Sequence, residues 1–169
     1  MLDENGKINI KFIPSLAAEK TVSPLKNVIV VDPGSSVAEE TGSVIAPFKT
    51  IDAAAAAAET DASGRCAILL VPGKYPAMRN SIAQFSNTPS EVFFLGIGEC
   101  ALDATTFNVG GLAQNGAVFF KDIVVASGVK MVNAATVTCL GRTYVGRLEF
   151  GAGSHVKLSS EAKVESTDA

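Results

Sequence analysis

Pro47-Phe48-Lys49-Thr50-Ile51-Asp52, followed by the six alanines Ala53 to Ala58, is the helical phrase in a chain whose second half reads as strand and turn. Thr50 is placed to cap the first turn, Asp52 sits where the helix dipole favours an acid, and alanine is the best helix former. The phrase predicts a helix over Ile51 to Glu59, with Phe48, Ile51, Ala55 and Ala58 facing the core. An alanine face of this kind allows very close packing on a flat surface. Working outward, Val28-Ile29-Val30-Val31 within Asn27 to Asp32 is a continuous apolar run, the pattern of a strand buried on both faces. Pro33-Gly34-Ser35-Ser36 then opens a polar loop that lasts to about Ala46. On the far side, Asp61-Ala62-Ser63-Gly64 ends the helix, and Cys66-Ala67-Ile68-Leu69-Leu70-Val71 is a second buried strand closed by Pro72-Gly73. Strand, helix, strand implies a right-handed crossover.

From Glu91 onward the chain reads as short β segments punctuated by glycine: Val92 to Leu95, Ala117 to Val125, Ala135 to Leu140, Thr143 to Val145, Arg147 to Phe150, and His155 to Val164. Aligning Phe119-Phe120-Lys121-Asp122-Ile123-Val124 with Cys139-Leu140-Gly141-Arg142-Thr143-Tyr144 gives a spacing of about 20 residues, the length of one solenoid coil. Coils stacked at about 4.8 Å would each bury a face that none can bury alone.

At the front, Lys7-Ile8-Asn9-Ile10-Lys11-Phe12 alternates strictly, which puts Ile8, Ile10 and Phe12 on one side of a strand. Pro14 and Pro24 separate that strand from the rest of the chain, so its partner is either the body of its own chain or another subunit joined by strand addition. The chain thus divides into an attachment segment, 1–26, and a body, 27–169, itself split into a lead-in and capping region, 27–90, and coils, 91–169. Ile8, Ile10, Phe12, Ile13 and Leu16 are the expected attachment residues.

Of the 169 residues 47% are apolar, 18% are charged and none is tryptophan, so the apolar content is mostly small or β-branched. That favours a mainly β body in a single domain. A net charge of -3 supplies no broad positive field for phosphates, which argues against a nucleic-acid partner. No uncharged apolar stretch approaches the ~20 residues of a spanning helix, and Met1-Leu2-Asp3-Glu4 does not open a secretion signal. The expectation is a protein made in a cytoplasm, with no membrane partner. Cys66, Cys100 and Cys139 are an odd number at wide spacings and read as small buried residues in a reducing compartment.

Val30-Val31-Asp32-Pro33-Gly34-Ser35, Pro47-Phe48-Lys49-Thr50-Ile51 with its alanines, Ile68-Leu69-Leu70-Val71 and Pro72-Gly73-Lys74-Tyr75 occur in the order found where pectate-lyase-like right-handed parallel β-helix proteins begin. The segment from Val28 to Tyr75 resembles that region. Leu2-Asp3-Glu4-Asn5-Gly6-Lys7-Ile8 and Ile13-Pro14-Ser15-Leu16 are similar to the Asp-x-x-Gly-Lys-Ile and Leu-Pro-Ser-Leu phrases of bacteriophage fibre proteins, with Phe12-Ile13 replacing the usual leucine before the proline. Together the resemblances imply a short right-handed parallel β-helix with a capping helix and a separate N-terminal attachment strand. They also imply a homotrimeric head or tail fibre, seated on other virion proteins of the capsid or tail, with a host-surface glycan as a further partner.

Many β-helix fibres cut polysaccharides, so the acids matter. Glycoside hydrolysis requires two carboxylates on one groove, and lyases of this class use acids for calcium with an arginine or lysine base. At about 20 residues per coil, Asp103 could stack on Asp122 and Asp122 on Arg142, which reads more simply as cross-coil ion pairing on a solvated face. His155 has no adjacent serine or cysteine motif to activate. Gly96-Ile97-Gly98-Glu99-Cys100-Ala101 fits a dinucleotide fingerprint by letters, but Leu102 to Phe107 reads as turn and strand rather than the helix such a site needs. The expectation is therefore a virion structural protein with no catalytic site, metal or cofactor. A carbohydrate-binding or carbohydrate-degrading β-helix is the alternative.

Overall fold

The computed structural model describes residues 28–75, 82–102, 107–125, 129–131, 134–149 and 155–168. In chain order the elements are β1 (Val28–Val31), α1 (Ile51–Ala57), β2 (Arg65–Leu70), β3 (Gly73–Tyr75), β4 (Ile82–Gln84), β5 (Glu91–Leu102), β6 (Phe107–Gly110), β7 (Gly116–Val125), β8 (Val129–Met131), β9 (Ala134–Leu140), β10 (Tyr144–Glu149), β11 (His155–Leu158) and β12 (Lys163–Asp168). The pairings among these strands are parallel, as in β2 with β5, β5 with β7 and β7 with β9. A parallel neighbour cannot be reached by a hairpin, so the chain must travel right round before it pairs again. Here that circuit is one turn of a β-solenoid.

The registers define three walls. The first, wall A, stacks β1, β2, the start of β5, the start of β7, β9 and β11. Wall B stacks β3, the end of β5, the end of β7, the start of β10 and β12. Wall C stacks β4, β6, β8 and the end of β10. The stack thus already includes β2 to β4, ahead of residue 91, where the coils were expected to begin.

The coil length is not constant. Ile68 lies beside Phe94, and Phe94 beside Phe120, a step of 26 residues each time. Phe120 lies beside Cys139, a step of 19, and Val124 beside Tyr144, a step of 20. The expected spacing of about 20 therefore holds in the last coils. It fails in the first ones, where the loops around residues 85–90 and 111–115 lengthen the return from wall C.

The lumen is filled from all three walls. Ile68, Phe94, Phe120 and Cys139 form one column, and Tyr75, Leu102, Val125 and Val145 a second. The Phe94 and Phe120 rings stack 5.3 Å apart, and Phe85 meets Phe94 edge-on at 6.3 Å. Offset and edge contacts of this kind add about 0.5–1.5 kcal/mol beyond the area they bury. Tyr75, from the Pro72-Gly73-Lys74-Tyr75 phrase, is buried with its hydroxyl 3.1 Å from the Val31 carbonyl, which ties wall B to the first strand of wall A.

Helix α1 is shorter than the predicted Ile51 to Glu59. The Thr50 hydroxyl accepts from the Ala53 N–H at 3.2 Å, as its capping position requires. At the other end Ala58 turns to extended backbone, and its carbonyl accepts from the Asn87 side-chain amide at 3.1 Å. The Asn87 amide thus satisfies a carbonyl left free just past the helix end. Ile51, Ala54, Ala55 and Ala58 are buried in the lumen core, and Phe48 is half-buried against it in a parallel bridge to Val31. Substituting Ala55 with phenylalanine should cost about 1–3 kcal/mol by overpacking. Chemical denaturation of the variant against the parent measures it.

The turn into β2 is held by Asp61, whose carboxylate accepts from the backbone N–H groups of Ser63 at 2.8 Å and Arg65 at 3.0 Å. The Arg65 guanidinium donates to it at 2.7 and 2.9 Å. Burial pushes this carboxyl up, but the Arg65 bonds outweigh it and hold the group below the usual carboxylate range. A carboxyl with a depressed folded pKa contributes stability above its unfolded pKa and loses it as pH falls through the folded one. Asp61→Asn should therefore be less stable than the parent at neutral pH. The gap should close as urea melts are repeated below about pH 4.

Candidate functional site

Asp122 is the polar residue around which the longest-paired coils turn. It interrupts β7 between the half that belongs to wall A and the half that belongs to wall B, with a left-handed φ of 55°. Aspartate tolerates that region because its short side chain bonds locally. Its carboxylate receives the Lys121 ammonium and accepts from the Arg142 backbone N–H at 2.9 Å. The structure so brings Asp122 and Arg142 onto neighbouring coils, joined through the arginine's main chain.

Two glycines make this corner possible. A Cβ on Gly96 would lie 2.3 Å from the Asp122 backbone carbonyl oxygen, and one on Gly141, itself at φ 58°, would lie 2.1 Å from Asp122 Oδ1. Gly96 therefore lets the main chain of one coil approach the next, and Gly141 lets the carboxylate reach the Arg142 N–H. No helix opens after Gly96 and Gly98, which lie inside β5, so these glycines form a corner and not a nucleotide-binding turn. The corner borders a cavity of about 600 Å³ lined by Gly98, Cys100, Asp122, Val124 and Arg142.

A second concavity, of about 560 Å³, lies on the outer side of wall A. Phe119, Thr136, Thr138, Leu140 and Lys157 are among its lining residues. Phe119 stacks on Phe93 with ring centres 4.4 Å apart and planes within 9°.

Other candidates from the sequence are dispersed. His155 is exposed on β11, in register with Thr136. Cys66, Cys100 and Cys139 are free and buried. Burial pushes the Cys66 and Cys139 thiols up to about 12 and also raises Cys100, so none is poised as a thiolate nucleophile. Among the described residues, no three His, Cys, Asp or Glu side chains gather as metal ligands. No helix among them is long and apolar enough to cross a membrane. Ile8, Ile10, Phe12, Ile13, Leu16 and Asp103 lie outside the described residues. No known protein family, curated protein or solved structure matches the chain.

The corner gives a paired expectation. Gly96→Ala meets backbone that cannot move without opening the coil, and should cost about 1–3 kcal/mol as overpacking does. Gly141→Ala meets a side-chain oxygen, and it also puts a Cβ at a left-handed φ of 58° and pushes the Asp122 carboxylate off the Arg142 N–H, so it should lower the melting temperature as well. Calorimetry on both variants against the parent measures the two losses.

Proposed function

We propose that the chain is a non-enzymatic structural protein of a virus particle, a short homotrimeric bacteriophage head or tail fibre attached through residues 1–26. The observation that carries the reading is the short stack of parallel coils itself, whose length suits a spacer or appendage. The front phrases Leu2 to Ile8 and Ile13 to Leu16, similar to those of phage fibre proteins, support it. In this reading the solenoid is right-handed, and α1 is its cap. The helix carries Ala54, Ala55 and Ala58 into the lumen beside the first strands and shields an end that would otherwise open to water.

Trimerisation follows from edges. Among the described residues β11 pairs with β9 alone and β12 with β10 alone, and free strand edges are the places where subunits satisfy one another. The N-terminal strand, with Ile8, Ile10 and Phe12 on one side, would contribute roughly 1.5–3 kcal/mol per buried side chain when seated on the particle, before ordering costs. Three copies presented together multiply that anchoring.

One observation favours the carbohydrate alternative: the outer concavity of wall A combines the half-buried Phe119 ring with the Thr136, Thr138 and Ser159 hydroxyls and Lys157. Sugar-binding surfaces combine an apolar platform with a few polar groups in this manner. Light scattering on the purified chain should give three times the chain mass at micromolar concentration. Particles assembled with the Ile10→Asp, Phe12→Asp double variant should lack the protein. A folded monomer, or release of reducing sugar from bacterial polysaccharides, would overturn the fibre reading.

A further inference from the structure

The turn that leads into β7 dictates the identities of two neighbouring residues. Asn115 has a left-handed φ of 62°, a region that glycine and asparagine enter more readily than other residues. Gly116 is buried, and a Cβ there would lie 3.0 Å from the Ala113 carbonyl oxygen and 3.2 Å from the Leu112 Cβ. The backbone thus favours asparagine followed by glycine, and that pair is reactive. The side-chain amide carbon of an asparagine can be attacked by the main-chain nitrogen of the next residue, and glycine, having no side chain, hinders the closure least.

We propose that Asn115 is a site of self-modification, deamidation through a cyclic imide, and that the turn holds it in check. A bond forms between Asn115 Cγ and the Gly116 nitrogen, the bond from Cγ to the side-chain nitrogen breaks, and that nitrogen leaves as ammonia with the proton of the Gly116 N–H. Water then opens the imide at either of its two carbonyl carbons. One opening gives aspartate; the other routes the main chain through Cγ and gives isoaspartate. The balance is one water taken up and one ammonia released, with no oxidant or metal. The Asn115 side chain is exposed, so water reaches it and ammonia can leave.

The attacking nitrogen is engaged. The Gly116 N–H donates to the Ala113 carbonyl at 2.9 Å. The turn is pinned on either side, by the Ala113 N–H on the Pro89 carbonyl at 3.0 Å and the Ala117 N–H on the Ser90 carbonyl at 2.8 Å. Ring closure requires the Gly116 N–H to be released, so the reaction proceeds from the locally opened turn. Its rate is the open fraction multiplied by the rate of the unconstrained pair. The product matters to the fold, because isoaspartate inserts one main-chain carbon between Asn115 Cα and Gly116 N. The extra atom falls where β7 begins its pairing with β5, at Ala117 beside Glu91, and one coil can pair with the next only if that register is kept.

The test ages the full chain in warm, mildly alkaline buffer, with and without enough urea to unfold it, and follows residue 115 by peptide mapping that separates aspartate from isoaspartate. The folded chain should accumulate both products at Asn115. It should do so at least about tenfold more slowly than the unfolded chain, the factor that an opening cost of about 1.4 kcal/mol produces. Conversion in urea alone, or equal rates in both conditions, overturns the proposal, and so does aspartate without isoaspartate, which would mean direct hydrolysis. Asn115→Gly keeps a residue that accepts the left-handed φ and removes the reacting amide. The aged parent should melt below the fresh parent, while aged Asn115→Gly should melt with its own fresh sample. An equal loss in both aged chains places the damage elsewhere and overturns the effect on the coil.

Discussion

The parallel register of one coil on the next is the constraint on which the rest of the structure depends. Each coil leaves its main-chain donors and acceptors to be met by the coils on either side, and a buried backbone group without a partner costs as much as a lost hydrogen bond. The lumen columns must then stack like on like. Ile68, Phe94, Phe120 and Cys139 occupy one position in successive coils, and Tyr75, Leu102, Val125 and Val145 another. Variation in coil length is pushed to the corners and returns. Between walls A and B, β5 spends Gly96 to Glu99 where β7 spends Asp122 alone. That economy forces Asp122 into a left-handed conformation and forces glycine at 96 and 141, where the neighbouring coils press on it.

The local parts of this architecture were legible in the sequence because their signals are local. Thr50, Asp52 and the alanines start a helix by capping, dipole and propensity, and Ile51, Ala55 and Ala58 are buried as their spacing predicts. The strands around Val28, Cys66, Val92, Ala117 and Ala135 lie close to their predicted places, since β-branched and aromatic runs bounded by turn residues leave little alternative. The partner of the Ala58 carbonyl at the helix end was not legible, because the Asn87 amide lies far along the chain.

The repeat was only half legible. A search for a constant period finds the coils of 19 and 20 residues and misses those of 26, although the lumen positions repeat through both. Asp122 came to notice as a charge able to pair across coils. Its role in the corner could not be read, because a positive φ at a residue other than glycine leaves no mark in composition or periodicity. The outer side of wall A was legible, because the strands that begin it read as buried on both faces. Val28 to Val31 and Cys66 to Val71 are continuous apolar runs, the pattern of strands covered on both sides, whereas one wall of a solenoid standing alone needs only alternate positions to be apolar.

Wall A also changes character along the stack. In the column that begins at Val28 the outward residues are Val28, Ala67, Phe93, Phe119, Thr138 and Lys157, and in its neighbour Val30, Leu69, Leu95, Lys121 and Leu140. The first column passes from apolar to polar after Phe119. In the second Lys121 intrudes, its ammonium drawn back to Asp122 at the corner. On the β11 side the last coils carry residues suited to water, and on the β1 side the first coils carry residues that water would penalise by about 25 cal/mol per Å² of apolar surface left open. A gradient of this kind is not demanded by the lumen, which is apolar throughout. Among the described strands, the outward apolar residues concentrate on the part of the wall nearest β1.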